Sequence, residues 1–153
     1  MSEMLGNHYF LSRNFYLAKD SYERALAKDE RNSVIKKKLV ICYIKTGEIN
    51  RALENFLNIV ESKIDVILST RYTDEDCPCP EIIAEIEAPG TFYFTEYEKR
   101  IALGMLWLYC DYSKSLIHFK IAFELKPADE SIQRILKVLM EKDTDLNNSP
   151  KNN

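Results

Sequence analysis

The sequence predicts an all-α protein, in which antiparallel helical hairpins stack as a short right-handed superhelix of about three repeats plus a capping helix. One observation is an internal repeat: an aromatic residue, an alanine and a second aromatic residue recur further along the chain with the same spacing. These residues are Tyr9, Ala18 and Tyr22, and then Tyr43, Ala52 and Phe56. The other is composition, since 153 residues with 46% hydrophobic and 29% charged side chains suffice for one compact, soluble domain.

Seven long helices follow from the apolar spacing and the turn residues. We expect them over residues 2–12, 15–28, 33–46, 49–63, 95–109, 112–125 and 128–142. Ser33 is the expected cap of the third helix, and Gly47 is expected to close it. The last helix carries an apolar stripe at helical spacing, which is typical of the amphipathic cap that ends a helical stack. Residues 143–153 are polar and are predicted to form a disordered tail.

The repeat resembles the tetratricopeptide repeat (TPR) family, whose unit is a pair of antiparallel helices of about 34 residues in total. The three copies cover residues 1–32, 33–64 and 96–127, within a single domain over 1–142. The matches are Leu5, Gly6, Tyr9, Ala18, Tyr22 and Ala25, then Tyr43, Gly47, Ala52 and Phe56, then Leu103, Gly104, Trp107, Ala122 and Pro127. The first copy has Arg13 where the family has a turn glycine. The third copy fits only if its turn near Cys110 is one residue shorter than usual.

An insert over residues 65–95 interrupts this pattern. It is either a degenerate fourth repeat with a shortened turn or a loop insert, and its prolines disfavour a pair of long helices. We expect 64–70 to prolong the preceding helix, Pro80 to begin a short helix ending at Ala88, and 91–95 to be an extended or turn segment. Residues 72–98 contain eight acidic and no basic residues, whereas the rest of the chain carries about +5. This division of charge suggests that the insert folds back over the basic body and competes for its groove.

Several classes of function are disfavoured by the sequence. A net charge of −3 is unlike that of a protein that binds nucleic acid by neutralising phosphates. The longest apolar run, Ile101 to Tyr109, has nine residues, whereas a membrane span needs about 20. With glycines only at 6, 47, 90 and 104, no nucleotide-binding fingerprint can be written, and neither histidine has a nucleophile in register. We therefore expect no enzyme and no cofactor. The absence of a targeting signal and the four cysteines favour the cytoplasm.

The remaining class of function is the binding of another protein. The TPR resemblance implies a concave groove lined by the first helix of each repeat. Carried over, its lining is Asn7, Phe10, Leu11, Lys37, Ile41, Ile44, Lys45, Met105, Leu108 and Tyr109. This apolar groove with a basic edge suits a peptide or helix that has apolar anchors and an acidic or carboxylate group, and predicts a non-catalytic adaptor or scaffold. The alternative, that some of these residues are simply core, stays open.

Three further hypotheses concern the clamp, the cysteines and self-association. Chaperone-binding members of the family hold a C-terminal carboxylate with a five-residue clamp, of which only Asn7 is present, so that role is disfavoured. Cys77-Pro78-Cys79 suggests a metal-binding or redox-sensing pair, although a closed zinc site needs two more ligands, and plain loop cysteines are the simpler interpretation. Self-assembly through the exposed edge of the stack or through residues 92–94 is the third.

Overall fold

The computed structural model describes residues 2–71, 77–90 and 94–148, with side chains to residue 145. Within these ranges all regular structure is helical, which confirms the all-α prediction. The helices are α1 (Ser2–Leu11), α2 (Phe15–Lys28), α3 (Ser33–Lys45), α4 (Ile49–Lys63), α5 (Asp65–Leu68), α6 (Cys79–Glu87), α7 (Glu96–Trp107), α8 (Tyr112–Leu125) and α9 (Glu130–Asn148).

Three helical hairpins form the body, namely α1 with α2, α3 with α4, and α7 with α8. The first two hairpins have the same turn. At each, a residue in the left-handed region closes the first helix, Arg13 with φ 63° and Gly47 with φ 80°. The amide of the next residue donates back to the helix in both, from Asn14 to the Tyr9 carbonyl and from Glu48 to the Tyr43 carbonyl. Arg13 thus adopts the conformation for which the family uses glycine.

At two positions, an aromatic ring of the second helix of a hairpin lies so close to the first helix that only glycine fits there. A Cβ on Gly6 would lie 2.7 Å from the Tyr22 ring, and one on Gly104 would lie 2.9 Å from the Phe119 ring. The two pairs are equivalent, but Gly104 and Phe119 are closer in sequence by one position than Gly6 and Tyr22. The α7–α8 connection is therefore one residue shorter, as the fit of the third copy requires.

The hairpins pack in chain order, with α2 against α3 and α4 against α7. Helix α9 packs against α8 and also against α4, so it bridges the last two hairpins on the side of their second helices. Its Arg134 forms an ion pair with Glu61 of α4. This helix continues to Asn148, so residues 143–148 of the predicted tail are helical. The remaining residues of that tail lie outside the described ranges.

Two helices begin later than predicted, α7 at Glu96 instead of residue 95 and α9 at Glu130 instead of residue 128, and the cap of α3 is a different residue. Asn32, not Ser33, caps α3, because its side-chain Oδ1 accepts a hydrogen bond from the Ile35 amide at 3.1 Å. Thr95 caps α7 in a reciprocal capping box with Glu98.

The insert is helical on both sides of a gap in the described chain. Residues 65–68 form the four-residue helix α5, which packs on α3. Helix α6 begins at Cys79, with Pro80 in its first turn, and ends at Glu87 beside the expected end at Ala88. The prediction of an extended or turn segment over 91–95 and the proposed contact through residues 92–94 fall mostly on residues outside the described ranges.

Candidate functional site

Helix α6 lies on the side of the stack formed by the first helices of the hairpins, α1, α3 and α7, which we call the first-helix face. It packs against α7 and lines a cleft with the last turn of α3. Its three isoleucines, Ile82, Ile83 and Ile86, are 3–4% exposed and belong to the main hydrophobic core. Helix α6, which is the part of the acidic insert that the structure describes here, therefore folds back over the body.

Two ion pairs join α6 to the turn ends of the first two hairpins. Arg13 Nη2 lies 3.1 Å from Glu81 Oε1, and Lys45 Nζ lies 2.9 Å from Glu85 Oε2. Glu81 and Glu85 are four residues apart, so both carboxylates project from one face of α6. All four side chains retain solvent access, and each pair contributes at most about 1 kcal/mol to docking. Isoleucine burial is the larger stabilising term.

The ten predicted groove residues are distributed between core and surface. Phe10, Ile41, Ile44, Met105, Leu108 and Tyr109 are at most 2% exposed. Asn7, Lys37 and Lys45 are partly buried, and Leu11 is 52% exposed. Within the described structure, α5 covers part of α3 and α6 covers part of α7. The insert thus occupies much of the surface to which the resemblance assigned a ligand.

Asn7 is engaged within the protein. Its side-chain Oδ1 accepts hydrogen bonds from the Tyr22 hydroxyl at 2.6 Å and from Lys38 Nζ at 3.0 Å. Lys38 stands at the position where chaperone-binding TPR proteins have the second asparagine of their clamp. Asn7, the one residue that matches the clamp, therefore links the first two hairpins.

A cleft remains beside α6 at the second ion pair. Its volume is about 240 Å³. Its lining comprises Tyr16, Ile44, Lys45, Thr46, Gly47, Ile82, Glu85, Ile86 and Phe94. The cleft is partly open to solvent and lies between α6 and the last turn of α3.

The four cysteines divide into one isolated thiol and one cluster. Cys42 is fully buried in the core, and burial raises the pKa of its thiol to about 12. The other three thiols, Cys77, Cys79 and Cys110, shift one another's pKa. The thiols of Cys110 and then Cys79 lower the pKa of Cys77, and the nearby Lys37 ammonium acts in the same direction. Burial raises the pKa of Cys79.

Within residues 2–71, 77–90 and 94–148, no group of three or more His, Cys, Asp or Glu side chains is arranged to hold a metal ion. The metal hypothesis for Cys77 and Cys79 gains no support from this arrangement. Over the same ranges, every helix is too short or too polar to cross a membrane.

Comparison with family models, curated proteins and solved structures finds no match for this chain. The resemblance to the TPR family therefore rests on the residues named above.

Sequence reasoning did not find four residues that matter at this site. Arg13 stands out in the sequence only as a missing glycine, yet it pairs with α6. Glu81 and Glu85 belong to an acidic run, although their spacing on a predicted helix places them on one face. Cys110 was assigned to a turn, and only its position after α7 brings it beside Cys77.

Proposed function

We propose that the protein is a non-catalytic interaction module of the tetratricopeptide type, and that its first-helix face binds an acidic amphipathic helix from a partner protein. Helix α6 is the internal occupant of that site. The observation that carries the proposal is the seating of α6 by buried isoleucines together with the Lys45–Glu85 ion pair.

The chemistry of α6 defines the ligand class. A competing helix needs aliphatic residues at the spacing of Ile82, Ile83 and Ile86, because these are the side chains that the face accepts. It also needs two carboxylates at the spacing of Glu81 and Glu85 to meet Arg13 and Lys45. A partner helix with a larger apolar residue would also fill the cleft of about 240 Å³.

Competition within the chain lowers the affinity for the partner. An internal helix on a short connection acts at an effective concentration of about millimolar. Loosening α6 should therefore strengthen binding of an external helix, and damage to the face should weaken it.

The test uses a fluorescent synthetic peptide with the sequence of residues 78–90, in which Cys79 is replaced by serine, and the full-length protein. Glu85→Lys should loosen the internal helix and raise the affinity for the peptide about tenfold at low salt. Lys45→Glu, added to Glu81→Lys, should reduce peptide binding, because the peptide then faces an anion where its own glutamate must dock. Fluorescence anisotropy gives both affinities.

Lys63→Glu is the matched control, since Lys63 is also a last-turn lysine but lies on α4 and is exposed. It should leave peptide binding unchanged. Equal peptide affinity for the wild type, Glu85→Lys and the double variant with Glu81→Lys and Lys45→Glu would contradict the proposal.

Self-assembly is a second candidate, favoured by apolar exposure on the outer hairpin. Met4, Leu11 and Tyr16 of α1 and α2 are 73%, 52% and 65% exposed. If this edge forms a dimer, light scattering should show a mass that rises with concentration, and Met4→Glu with Leu11→Glu should abolish the rise. A monomer at all concentrations would eliminate this candidate.

A further inference from the structure

Arg100 of α7 and His118 of α8 join the two helices of the third hairpin. Arg100 Nη1 lies 3.2 Å from His118 Nδ1, and Arg100 Nε donates a hydrogen bond of 2.9 Å to Glu96 Oε1. A guanidinium carries only donors, so Nδ1 of His118 is the acceptor in the first contact. The imidazole in this contact is therefore neutral and carries its proton on Nε2.

The charged groups around His118 come from two neighbouring helices. Arg100 and Lys99 of α7 are cationic, and Glu87 at the end of α6 is anionic. Helix α9 also packs on α8, and no charged group of its described residues acts on His118. Burial and then the Arg100 charge lower the pKa of His118, and Glu87 opposes this shift only in part.

We propose that the contact between Arg100 and His118 is an acid-sensitive switch, which holds α7 and α8 together while His118 is neutral and weakens when the imidazole takes up a proton. The switch belongs to the third hairpin, because the second histidine of the chain, His8, is exposed on α1. Since α6 packs on α7, the seat of α6 loosens together with this hairpin. The switch itself does not depend on the function proposed above.

Protonation converts an attractive contact into a repulsive one. Nδ1 of His118 then carries a proton, so two donors and two positive charges face each other across 3.2 Å. The ion pair with Glu96 holds the Arg100 guanidinium in place, so the imidazole is the group that must turn away. The unfolded chain meets no such repulsion and takes up the proton first as the pH falls below about 6.5. The folded state therefore loses stability between that pH and its own, lower pKa.

The first test is a proton–nitrogen NMR titration of the imidazole rings in the full-length protein, from about pH 8 to about pH 5. We expect His118 to carry its proton on Nε2 at neutral pH. Arg100→Gln removes the facing cation and should raise the titration midpoint of His118 towards the ordinary value for histidine. Lys99→Gln is the matched control, since it removes the adjacent cation of α7, and it should raise the midpoint less. His8 should titrate identically in all three proteins.

The second test uses His118→Asn, which keeps a side-chain acceptor but cannot be protonated. Its urea midpoint should fall less than that of the wild type when the pH is lowered from about 7.5 to about 5, whereas His8→Asn should follow the wild type. Amide exchange in α8 should be faster in the wild type than in His118→Asn at about pH 5. This ratio should be about fivefold larger than at about pH 7.5, and comparison at one pH removes the intrinsic pH dependence of exchange.

The wild-type spectrum tests the proposal without any variant. An imidazole of His118 that carries its proton on Nδ1 at neutral pH would overturn the proposal, and so would a midpoint that Arg100→Gln leaves unchanged. An equal loss of stability on acidification in the wild type and in His118→Asn would also overturn it. The same holds if the acid-dependent gain in exchange is spread evenly over the three hairpins.

Discussion

The hydroxyl of Tyr109 donates a hydrogen bond of 2.6 Å to the carbonyl oxygen of Lys37 in α3. The two residues are 72 positions apart, and the bond joins the third hairpin to the first helix of the second. Tyr109 is 1% exposed, so its hydroxyl is shielded from water and needs the Lys37 carbonyl as its hydrogen-bond acceptor. A residue predicted to meet a ligand thus secures the packing of two hairpins.

Tyr109→Phe should lower the free energy of unfolding by about 1 kcal/mol, because it removes a buried hydrogen bond and keeps the ring. Urea denaturation measures the change. Tyr16→Phe is the control, since Tyr16 is 65% exposed, and it should leave stability unchanged. Equal effects of the two substitutions would show that the Tyr109 hydroxyl contributes nothing.

Gly104→Ala should destabilise the protein although alanine favours helix. Its Cβ would lie 2.9 Å from the Phe119 ring, which is fully buried and cannot move outward freely. We expect a net loss of about 1–3 kcal/mol against a propensity gain of about 1 kcal/mol. In a Phe119→Leu background the same substitution should cost less, and denaturation of the four proteins gives the coupling. Strict additivity would contradict the close-packing account.

Gly47→Ala should cost about 1 kcal/mol for backbone reasons alone, because φ is 80° and an added Cβ would meet no atom within 4 Å. Gly47→Asn should cost less, since asparagine tolerates the left-handed region better than alanine. Thermal unfolding ranks the two variants. An alanine variant that is as stable as the wild type would refute the prediction.

The Lys19–Glu48 ion pair predicts a pH dependence. Lys19 Nζ lies 2.8 Å from Glu48 Oε2, and this hydrogen bond is the main reason why the pKa of Glu48 is lowered. A lowered folded pKa contributes stability above the unfolded value of about 4.3, and that contribution is lost as pH falls through the folded value. Glu48→Gln should therefore cost about 0.5 kcal/mol at pH about 7, and this cost should shrink as the pH is lowered to about 3.

Urea denaturation at both pH values tests this expectation. Glu54→Gln, at an exposed position of α4, is the control. The difference in unfolding free energy between this variant and the wild type should be the same at both pH values. A difference between the wild type and Glu48→Gln that persists at low pH would indicate that the ionised pair is not its cause.

The hairpins could be predicted from the sequence because their determinants are local or regularly spaced. The constant offset between repeats, the small residues Gly6 and Gly104 and the turn residue Gly47 are all visible along the chain. The amphipathic stripe of α9 is equally visible, but its contact with α4 as well as α8 depends on how the third hairpin packs on the second. That packing involves residues that are distant in sequence.

The candidate site was only half predictable. Lys45 was assigned to the basic edge of a groove, and the acidic insert was expected to compete for it. The two ion pairs, Lys45 with Glu85 and Arg13 with Glu81, form only because α6 docks on the body. Their partners are 40 and 68 positions apart in the sequence. No local pattern encodes such pairs, since long-range contacts are set by the shape of the whole core.

By itself, the sequence determined the helical hairpins, their turns and the separation of charge between the insert and the body, because these follow from spacing and composition. Only the tertiary structure decided that the first-helix face already holds α6 and that Cys110 lies beside Cys77. The physical reason is that burial of the three isoleucines of α6 fixes where the insert docks. Each ion pair and thiol contact at the site is a consequence of that docking.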